Sequence, residues 1–250
     1  MTDYRLIFDA IPDEFNRLRP RYCPALFADV VAHAGLGPGK SALEIGPGTG
    51  QATEPILRTG CDYLAIELGE HLAAFMRDQF GHYENFDLVN ADFETHDFAG
   101  RQFDLVYSAA AFQWIKEEVG YPKVYDLLKS GGTFALFATH TERTDKALEE
   151  KIEAVYAAHF KPEQPYTLGL KAMRDLPGFG FAQAEHREYR RTYTVNADDY
   201  VERTKICAPQ MTVPEPHQSR LYEGIREVIE AAGGSIELCD TINLYLARKP

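Results

Sequence analysis

One segment limits the possible folds of this chain more than any other: residues 44–50 read Glu-Ile-Gly-Pro-Gly-Thr-Gly. The glycines follow a short apolar run at residues 41–45 and precede a segment with apolar residues at helical spacing, residues 51–59. A strand that runs into a glycine-rich turn and then a helix lets a ligand approach the backbone closely, because no side chains block it. The segment therefore predicts an α/β fold with a ligand at the end of its first strand.

Apolar runs of strand length recur after this loop and alternate with segments of helical spacing. The predicted strands are residues 41–45, 63–67, 86–90, 103–108 and 132–138. The predicted helices between them are residues 51–59, 70–80 and 121–129. Such alternation is typical of a doubly wound, mostly parallel sheet with right-handed crossovers. We therefore predict a Rossmann-like α/β fold.

We expect residues 1–250 to form a single domain around this core. Residues 1–39, with a predicted helix at 25–33, would form an N-terminal cap over the ligand edge of the sheet. Residues 40–139 would form the core itself. The cap and the core would together enclose the ligand.

The second half of the chain is expected to complete the sheet and to cover it. Residues 140–186, with an amphipathic segment at 146–160 and a turn-rich part at 161–180, would form an inserted helical lid. Residues 187–250 would return to the sheet. Their predicted elements are strands at 189–195 and 241–247, helices at 196–206 and 218–232, and a proline-interrupted loop at 208–216.

Composition and charge exclude several classes of function. The chain has 26 Lys and Arg residues against 38 Asp and Glu, a net charge of −12, which would repel a polyanion. We therefore expect no nucleic-acid partner. No stretch approaches the roughly 18 apolar residues of a membrane span, and Met1-Thr2-Asp3-Tyr4-Arg5 lacks the layout of a signal peptide. We expect a cytoplasmic monomer or homodimer without a membrane partner.

The cysteines and histidines give no indication of a metal. The four cysteines are far apart in the sequence, and none forms a C-x-x-C pair. The histidines lack metal-ligand spacing, and no carboxylate cluster suggests an ion site. We therefore expect no metal, with the cysteines as buried free thiols.

The spacing of the loop glycines distinguishes between two kinds of nucleotide site. The dinucleotide fingerprint is G-x-G-x-x-G, whereas Gly46, Gly48 and Gly50 place the third glycine one residue early. Glu44 precedes them, and a carboxylate repels a pyrophosphate but attracts an ammonium or sulfonium group. The loop therefore favours a cationic ligand over NAD. The alternative is a glycine-rich turn without a ligand.

Two later strands end in residues suited to an adenine nucleoside. Glu67 ends the second predicted strand, where a carboxylate can accept hydrogen bonds from both ribose hydroxyls. Asp92 and Phe93 follow the third strand and could accept from an adenine amino group and pack on its ring. The alternatives are a solvated Glu67, an Asp92 that caps a turn, and a core Phe93.

These motifs resemble those of the class I S-adenosylmethionine-dependent methyltransferases over roughly residues 41–138. The match comprises the loop at 42–50, Glu67, Ala91-Asp92-Phe93, and the stretches 103–108 and 127–132. Two further stretches resemble the group of trans-aconitate methyltransferase and methyltransferase type 11. They are residues 15–24, an Arg-Pro-x-Tyr element with Cys23 inserted before the proline, and residues 109–114.

The resemblance implies S-adenosylmethionine as cofactor, S-adenosylhomocysteine as product, and a seven-stranded sheet with an antiparallel C-terminal hairpin edge. Gly46, Gly48 and Gly50 would line the methionine and ribose part of the cofactor, with Glu44 near its amino group. The other implied contacts are Glu67 with the ribose, Asp92, Phe93 and Leu68 with the adenine, and Ser108, through its backbone, with the methionine end. Beyond residue 139 the resemblance fades, so it does not identify the acceptor.

The candidates for the acceptor site are Phe112, Gln113 and Trp114, in the loop after the fourth strand, together with Arg19, Tyr22 and His140. Trp114 could equally be a core residue, and Gln113 could face water. Arg19, with Arg17 and Arg21, could hold an acidic substrate or form a solvated face. Tyr22 is a candidate cofactor contact or catalytic residue, with a cap over the sheet edge as its alternative. His140 is a candidate general base or a surface residue.

We therefore expect a methyltransferase that acts on a small molecule, with a carboxylate preferred because it is ionised at neutral pH and needs no base. One alternative is a non-catalytic module that binds S-adenosylmethionine. The other is an NAD-dependent oxidoreductase, which the loop disfavours.

Overall fold

A computed structural model describes residues 3–162 and 176–250, which contain a seven-stranded sheet of order β3-β2-β1-β4-β5-β7-β6. The first five strands run parallel, and β7 is antiparallel to both β5 and β6. The strands are β1 Ser41–Ile45, β2 Asp62–Glu67, β3 Phe86–Asn90, β4 Phe103–Ala109, β5 Leu128–Arg143, β6 Ala182–Asn196 and β7 Ser235–Arg248. The predicted Rossmann-like sheet with an antiparallel C-terminal edge is confirmed.

Helices cover both faces of this sheet. They are α1 Pro12–Leu18, α2 Pro24–Ala34, α3 Thr53–Leu57, α4 Glu70–Phe80, α5 Glu117–Leu127, α6 Lys146–His159, α7 Ala197–Lys205, α8 Ala208–Met211 and α9 His217–Ala231. Short 3₁₀ helices span Tyr4–Ala10, Phe112–Trp114 and Leu176–Phe179. Polar side chains cap two helices: Asp145 accepts from the first turn of α6, and Asn196 accepts from that of α7.

The alternation of side chains along the strands produces two hydrophobic clusters, one on each face. Leu43 and Ile45 of β1 belong to a cluster that is covered by α5. Ala42 faces the opposite cluster, which α2 and α3 cover. Because α2 covers a sheet face, only the part of the predicted N-terminal cap that precedes it can lie over the ligand edge.

The last three strands are longer than predicted. β5 continues past Phe137, its last residue paired with β4, and this extension pairs with β7 alone. The added part of β7 alternates exposed residues with buried Ile236 and Leu238. The added parts of β5 and β6 are polar and partly exposed, so they lack the apolar run or alternation that marks a buried strand. Their hydrogen bonds to neighbouring strands determine their structure.

The segment predicted as a lid, residues 140–186, is only partly separate from the sheet. Its first residues belong to β5 and its last to β6. Within it, α6 packs with α7 and α9 on the sheet extension in a third cluster that includes Ile152, Ile225 and Leu238. The remainder of the predicted lid, residues 163–175, lies outside the described residues.

Smaller differences concern helix ends and the cysteines. The predicted helix at 121–129 begins earlier and ends at Leu127, because the next residue already pairs with β4. The predicted loop at 208–216 begins with α8.

All four cysteines are free, but only Cys61 is fully buried. Within the described ranges, no helix combines the length and apolar character needed to cross a membrane.

Candidate cofactor and acceptor site

An open cleft lies over the carboxyl ends of β1, β2 and β4, where the strand order of the sheet reverses. Counted out to its mouth, the cleft holds about 1240 Å³ of empty space. Part of this space is open to solvent. The cleft lies in the place where open α/β sheets bind their ligands.

Two of the three loop glycines line this cleft. Gly46 and Gly48 have φ values of +65° and +60°, in the left-handed region that favours glycine. A Cβ at position 46 would lie 2.6 Å from Ala111 Cβ, and one at position 48 would lie 3.1 Å from the Phe15 ring. The bare backbone at these positions therefore forms part of the cleft wall.

Gly50 has a different role from the predicted one. It does not line the cleft, and a Cβ there would lie 2.3 Å from the Phe80 ring and 3.0 Å from Met76 Sδ. Its φ is +84°. Gly50 therefore lets the loop pack closely against α4 and lies outside the cleft wall.

Glu67 ends β2 at the floor of the cleft and is 5% exposed. Its carboxylate accepts from the backbone N–H of Gly48 at 3.0 Å and from that of Gly69 at 2.9 Å. Burial raises the pKa of Glu67 to about 7, although these backbone hydrogen bonds lower it. The carboxylate therefore links the glycine loop to the start of α4 and faces the cleft.

Glu44 lies beneath the loop, away from the cleft wall, contrary to the prediction. Its Oε2 accepts from the hydroxyls of Thr53 at 2.6 Å, Tyr107 at 2.7 Å and Tyr63. Burial raises the pKa of Glu44, which these hydroxyl hydrogen bonds lower. Side chains alternate along a strand. Ile45, the last residue of β1, lines the cleft together with the following loop residue Gly46, so Glu44 points the other way, into the core under α3. Its Oε1 has no hydrogen-bond partner among the described residues.

Three predicted adenine contacts line one end of the cleft: Leu68, Asp92 and Phe93. Asp92 also caps a turn, because its Oδ1 accepts from the N–H of Glu94 at 2.9 Å. Its Oδ2 forms an ion pair with Arg5 at 2.9 Å. Phe93 is 5% exposed and therefore serves the core as well as the cleft wall. For both Asp92 and Phe93, a position in the cleft wall is therefore compatible with the structural role predicted as its alternative.

The loop after β4 contributes to the cleft mainly through small residues. Ala109, Ala110 and Ala111 line it, whereas Ser108, Phe112 and Gln113 do not. Ser108 Oγ donates to the carbonyl of Ile45 at 2.8 Å, and Gln113 donates to that of Ala110, also at 2.8 Å.

Phe112 packs in the core against Tyr121 and Phe134, because the 3₁₀ turn that carries it points inward. Phe112 and Gln113 therefore support the loop without touching the cleft. Trp114, in contrast, lines the cleft as predicted.

The N-terminal segment supplies wall residues that sequence reasoning missed, among them Arg5, Phe8 and Phe15. The segment is held at the start of α4, where Asp9 Oδ1 accepts from the N–H of Leu72 at 2.9 Å. The Phe8 ring lies 6.3 Å from that of Trp114, edge to face. The sequence predicted a cap over the ligand edge for residues 1–39, but nothing in it distinguished these aromatic residues from core residues.

The three N-terminal arginines point in different directions. Arg19 lines the cleft, and its guanidinium lies 5.0 Å from the Phe15 ring centroid and 5.8 Å from that of Phe8. Arg17 is 62% exposed beside Glu202, and Arg21 donates to Asn16. Arg19 forms no ion pair with any residue in the described ranges. It therefore presents a positive charge that no described carboxylate neutralises.

Tyr22 lines the cleft next to β5, with its ring centroid 4.8 Å from that of Phe137. Burial raises the pKa of Tyr22 to about 12, so its hydroxyl keeps its proton at neutral pH. Thr139 and Thr141 of β5 line the same wall. Because strand side chains alternate, His140 lies on the other face, 71% exposed beside Glu142. The geometry therefore gives no support to His140 as a general base.

The described residues include no group of three or more His, Cys, Asp or Glu side chains placed to hold a metal ion. The cleft therefore consists of a glycine loop, a carboxylate at β2, an aromatic wall and a positive charge. This combination can hold a polar nucleoside beside a smaller anionic molecule.

Residues 43–136 match a family model described as a methyltransferase domain. Among curated relatives, malonyl-[acyl-carrier protein] O-methyltransferase 2 of Ilyobacter polytropus is 30% identical over 54% of this chain and 50% of its own length. The corresponding O-methyltransferase of Enterobacter lignolyticus is 27% identical over 72% of this chain and 79% of its own.

Ribosomal RNA small subunit methyltransferase A of Thermosynechococcus vestitus is 41% identical, but over 30% of this chain and 28% of its own length. This chain therefore spans about a quarter of the length of the Thermosynechococcus vestitus relative and about half that of the Ilyobacter polytropus relative.

Solved structures share the fold over nearly the whole chain. A candidate type II methyltransferase from Anaeromyxobacter dehalogenans has a TM-score of 0.66 at 16% identity, covering 92% of this chain and 97% of its own. Phosphoethanolamine N-methyltransferase 2 of Haemonchus contortus, in complex with S-adenosylhomocysteine, has a TM-score of 0.59 at 16% identity, covering 100% and 61%. At such identities the likeness concerns the fold alone.

Proposed function

We propose that this chain, which carries a class I S-adenosylmethionine-dependent methyltransferase domain, transfers a methyl group to a small anionic molecule. One observation carries this proposal: the unpaired guanidinium of Arg19 lines the same cleft as the glycine loop and Glu67. The loop and Glu67 suit the cofactor, and Arg19 suits an acceptor of opposite charge.

The cleft residues fit the cofactor in size and chemistry. Gly46 and Gly48 leave room that a Cβ would fill, and Glu67 offers carboxylate oxygens for ribose hydroxyls. Asp92, Phe93 and Leu68 can surround an adenine ring. Bound S-adenosylmethionine supplies an electrophilic methyl group on a sulfonium that is already a good leaving group.

The chain's own contribution would be alignment of the acceptor in a site with little water. Such positioning can supply roughly 7–11 kcal/mol of the barrier reduction. Phe8, Phe15 and Tyr22 would exclude water, and Arg19 would orient the acceptor through charge-assisted hydrogen bonds. A carboxylate acceptor is ionised at neutral pH. It therefore needs no base, in keeping with a described cleft wall that contains no histidine.

The relatives and the charge of the chain support a small acceptor. Two relatives with extended matches are named malonyl-[acyl-carrier protein] O-methyltransferases. The ribosomal RNA methyltransferase matches over a shorter stretch, and the net charge of −12 opposes binding of RNA. We also propose that residues 1–250 act as one domain, since α6, α7 and α9 pack on the extension of the same sheet.

The test measures S-adenosylhomocysteine released from S-adenosylmethionine in the presence of a panel of small carboxylic acids, amines and alcohols. We expect turnover with carboxylic acids and a rise of tenfold or more in their KM for Arg19→Gln. Arg17→Gln is the matched control, because this exposed arginine lies outside the cleft wall. Turnover of amines or alcohols alone, or an equal response of both variants, would refute the anionic acceptor.

A non-catalytic module is the alternative to an enzyme. Tyr22 and Trp114 line the cleft and are not buried away from it, which disfavours this alternative, since a module that binds no acceptor does not need these side chains at a cavity. Calorimetry with S-adenosylhomocysteine and NAD tests both remaining alternatives. Binding of the homocysteine ligand without turnover of any acceptor would favour the module, and tight binding of NAD alone would favour an oxidoreductase.

A further inference from the structure

A buried aspartate lies directly behind the outer wall of the cleft. Asp240 of β7 is paired across the sheet with Thr141 of β5 and with Arg191 of β6. Its side chain is 0% exposed. A carboxylate removed from water in this way needs hydrogen-bond partners to offset the cost of desolvation.

Both oxygens of Asp240 have such partners. Arg191 donates to Oδ2 from Nε at 2.9 Å and from Nη2 at 2.7 Å. Oδ1 accepts from the hydroxyl of Thr141 at 2.6 Å and from that of Tyr193 at 3.2 Å. Arg191 is also held over the Tyr193 ring, 5.2 Å from its centroid. The carboxylate therefore has a fixed position and a compensated charge.

This arrangement determines whether the hydroxyl of Thr141 donates or accepts a hydrogen bond towards the cleft. A hydroxyl has one proton to donate and two lone pairs to accept with, whereas an ionised carboxylate can only accept. The proton of Thr141 is therefore directed at Asp240. Since Thr141 also lines the mouth of the cleft, its oxygen presents lone pairs alone to a molecule bound there.

Thr141 and Arg19 both line the cleft. Tyr22 packs against Phe137, which lies on the same face of β5 as Thr139 and Thr141. Arg19 precedes Tyr22 by three residues and lines the cleft with it. A molecule that reaches both Arg19 and Thr141 would meet a positive charge and a hydrogen-bond acceptor together.

We propose that Thr141, positioned by Asp240, is a specificity residue that binds a hydrogen-bond donor of the acceptor molecule. The inference rests on the proposed function and narrows it: the acceptor is a carboxylic acid that also carries a hydroxyl or N–H group. Arg19 holds the carboxylate and Thr141 accepts from the donor group. Acids without the donor gain no hydrogen bond from Thr141, whose exposed oxygen is then left to water.

The experiment uses two pairs of acids that differ by one hydroxyl, mandelate with phenylacetate and malate with succinate. Calorimetry measures their binding to the complex with S-adenosylhomocysteine, and KM and kcat are measured with S-adenosylmethionine. Thr141→Val should weaken binding of the hydroxy acid about fivefold or more and change its deoxy partner less than twofold. Thr141→Ser, which keeps the hydroxyl, should restore the affinity with kcat unchanged.

Tyr193→Phe is the matched control, because it removes the other hydroxyl from the same Asp240 oxygen without lining the cleft. It should leave the preference for hydroxy acids intact. Equal effects of Thr141→Val on both members of each pair, or the same loss in Tyr193→Phe, would overturn the role of Thr141. If no acid binds although S-adenosylhomocysteine does, the anionic acceptor itself is wrong and this inference falls with it.

Discussion

Glu67 has a structural role and the position that our proposed binding role requires. It accepts from the backbone of Gly48 and Gly69, which joins the glycine loop to the start of α4, and it also lines the cleft. Burial destabilises the charged form of Glu67 and raises its pKa to about 7. The backbone hydrogen bonds act in the opposite direction, because they stabilise the charged carboxylate. Cofactor hydroxyls would add donors that the free protein lacks.

Replacing Glu67 tests this binding role. We expect Glu67→Ala to weaken binding of S-adenosylhomocysteine by more than tenfold, because two ribose hydroxyls lose their acceptor. Isothermal titration calorimetry measures the change. Asp62→Ala, at the exposed opposite end of the same strand, is the control and should bind normally. An unchanged dissociation constant for Glu67→Ala would refute the assignment.

The raised pKa of Glu67 also predicts how stability depends on pH. In the folded protein this pKa is about 7, against 4.5 for the ordinary residue, so the folded state binds the proton more tightly. The resulting stabilisation is complete below about pH 4.5 and disappears as pH rises through 7. It amounts to about 3 kcal/mol.

Urea unfolding of the ligand-free protein between pH 4.5 and 8 measures this dependence. Glu67→Gln cannot ionise, so the difference in unfolding free energy between wild type and variant should change by about that amount across the range. A difference that is independent of pH would show that Glu67 ionises normally.

At the scale of elements, the loop between β1 and α3 depends on close contacts with elements that are distant in sequence. Gly46 abuts Ala111 of the loop after β4, and Gly50 abuts Phe80 of α4. Glu44 anchors the start of α3 from below through Thr53. The loop is therefore shaped by its surroundings as well as by its own glycines.

Gly46→Ala should destabilise the protein and weaken the cofactor site. A Cβ at this position meets Ala111 Cβ at 2.6 Å, and the φ of +65° is strained for alanine. We expect a loss of about 2–4 kcal/mol in unfolding free energy. Gly37→Ala is the control, because a Cβ there meets nothing within 4 Å and no positive φ is involved. Equal stability of the two variants would contradict the close contact.

At the scale of the whole molecule, the hydrophobic interior of the described residues consists of three separate clusters. Two clusters lie on the faces of the main sheet, and the third lies between the sheet extension and α6, α7 and α9. The cofactor residues belong to the main sheet, whereas Thr141 and Asp240 belong to the extension. Under our proposals, the acceptor preference set by Thr141 and the binding of the cofactor would therefore depend on different parts of the fold.

Ile225→Ala should loosen the third cluster without altering cofactor binding. Ile225 is 0% exposed, and its truncation should cost about 2–5 kcal/mol locally. Hydrogen exchange should accelerate in α6, α7 and α9 while β1 and β4 stay protected. Leu105→Ala, in the centre of the sheet, should instead accelerate exchange in the sheet. Equal acceleration everywhere in Ile225→Ala would show that the clusters unfold as one.

The sequence by itself determined the sheet and the cofactor end of the cleft. β1, β2 and β4 are buried, so their apolar runs mark them, and the spacing of Gly46 and Gly48 needs no distant partner to indicate a loop that a ligand can approach. Glu67, Asp92 and Phe93 follow buried strands, and the carboxyl ends of parallel strands meet at one edge. Local patterns therefore placed these residues together in the cleft.

Only the tertiary structure decided the positions of Glu44, His140 and Arg19. Side chains alternate between the two faces of a strand, and the tertiary structure placed Glu44 of β1 and His140 of β5 on faces turned away from the cleft. Packing of the N-terminal segment turned Arg19 into the cleft and left Arg17 outside. The polar end of β5, with Thr141, and the position of Asp240 beside it depend on pairing across the sheet. Such contacts join residues far apart in sequence, and no local pattern encodes them.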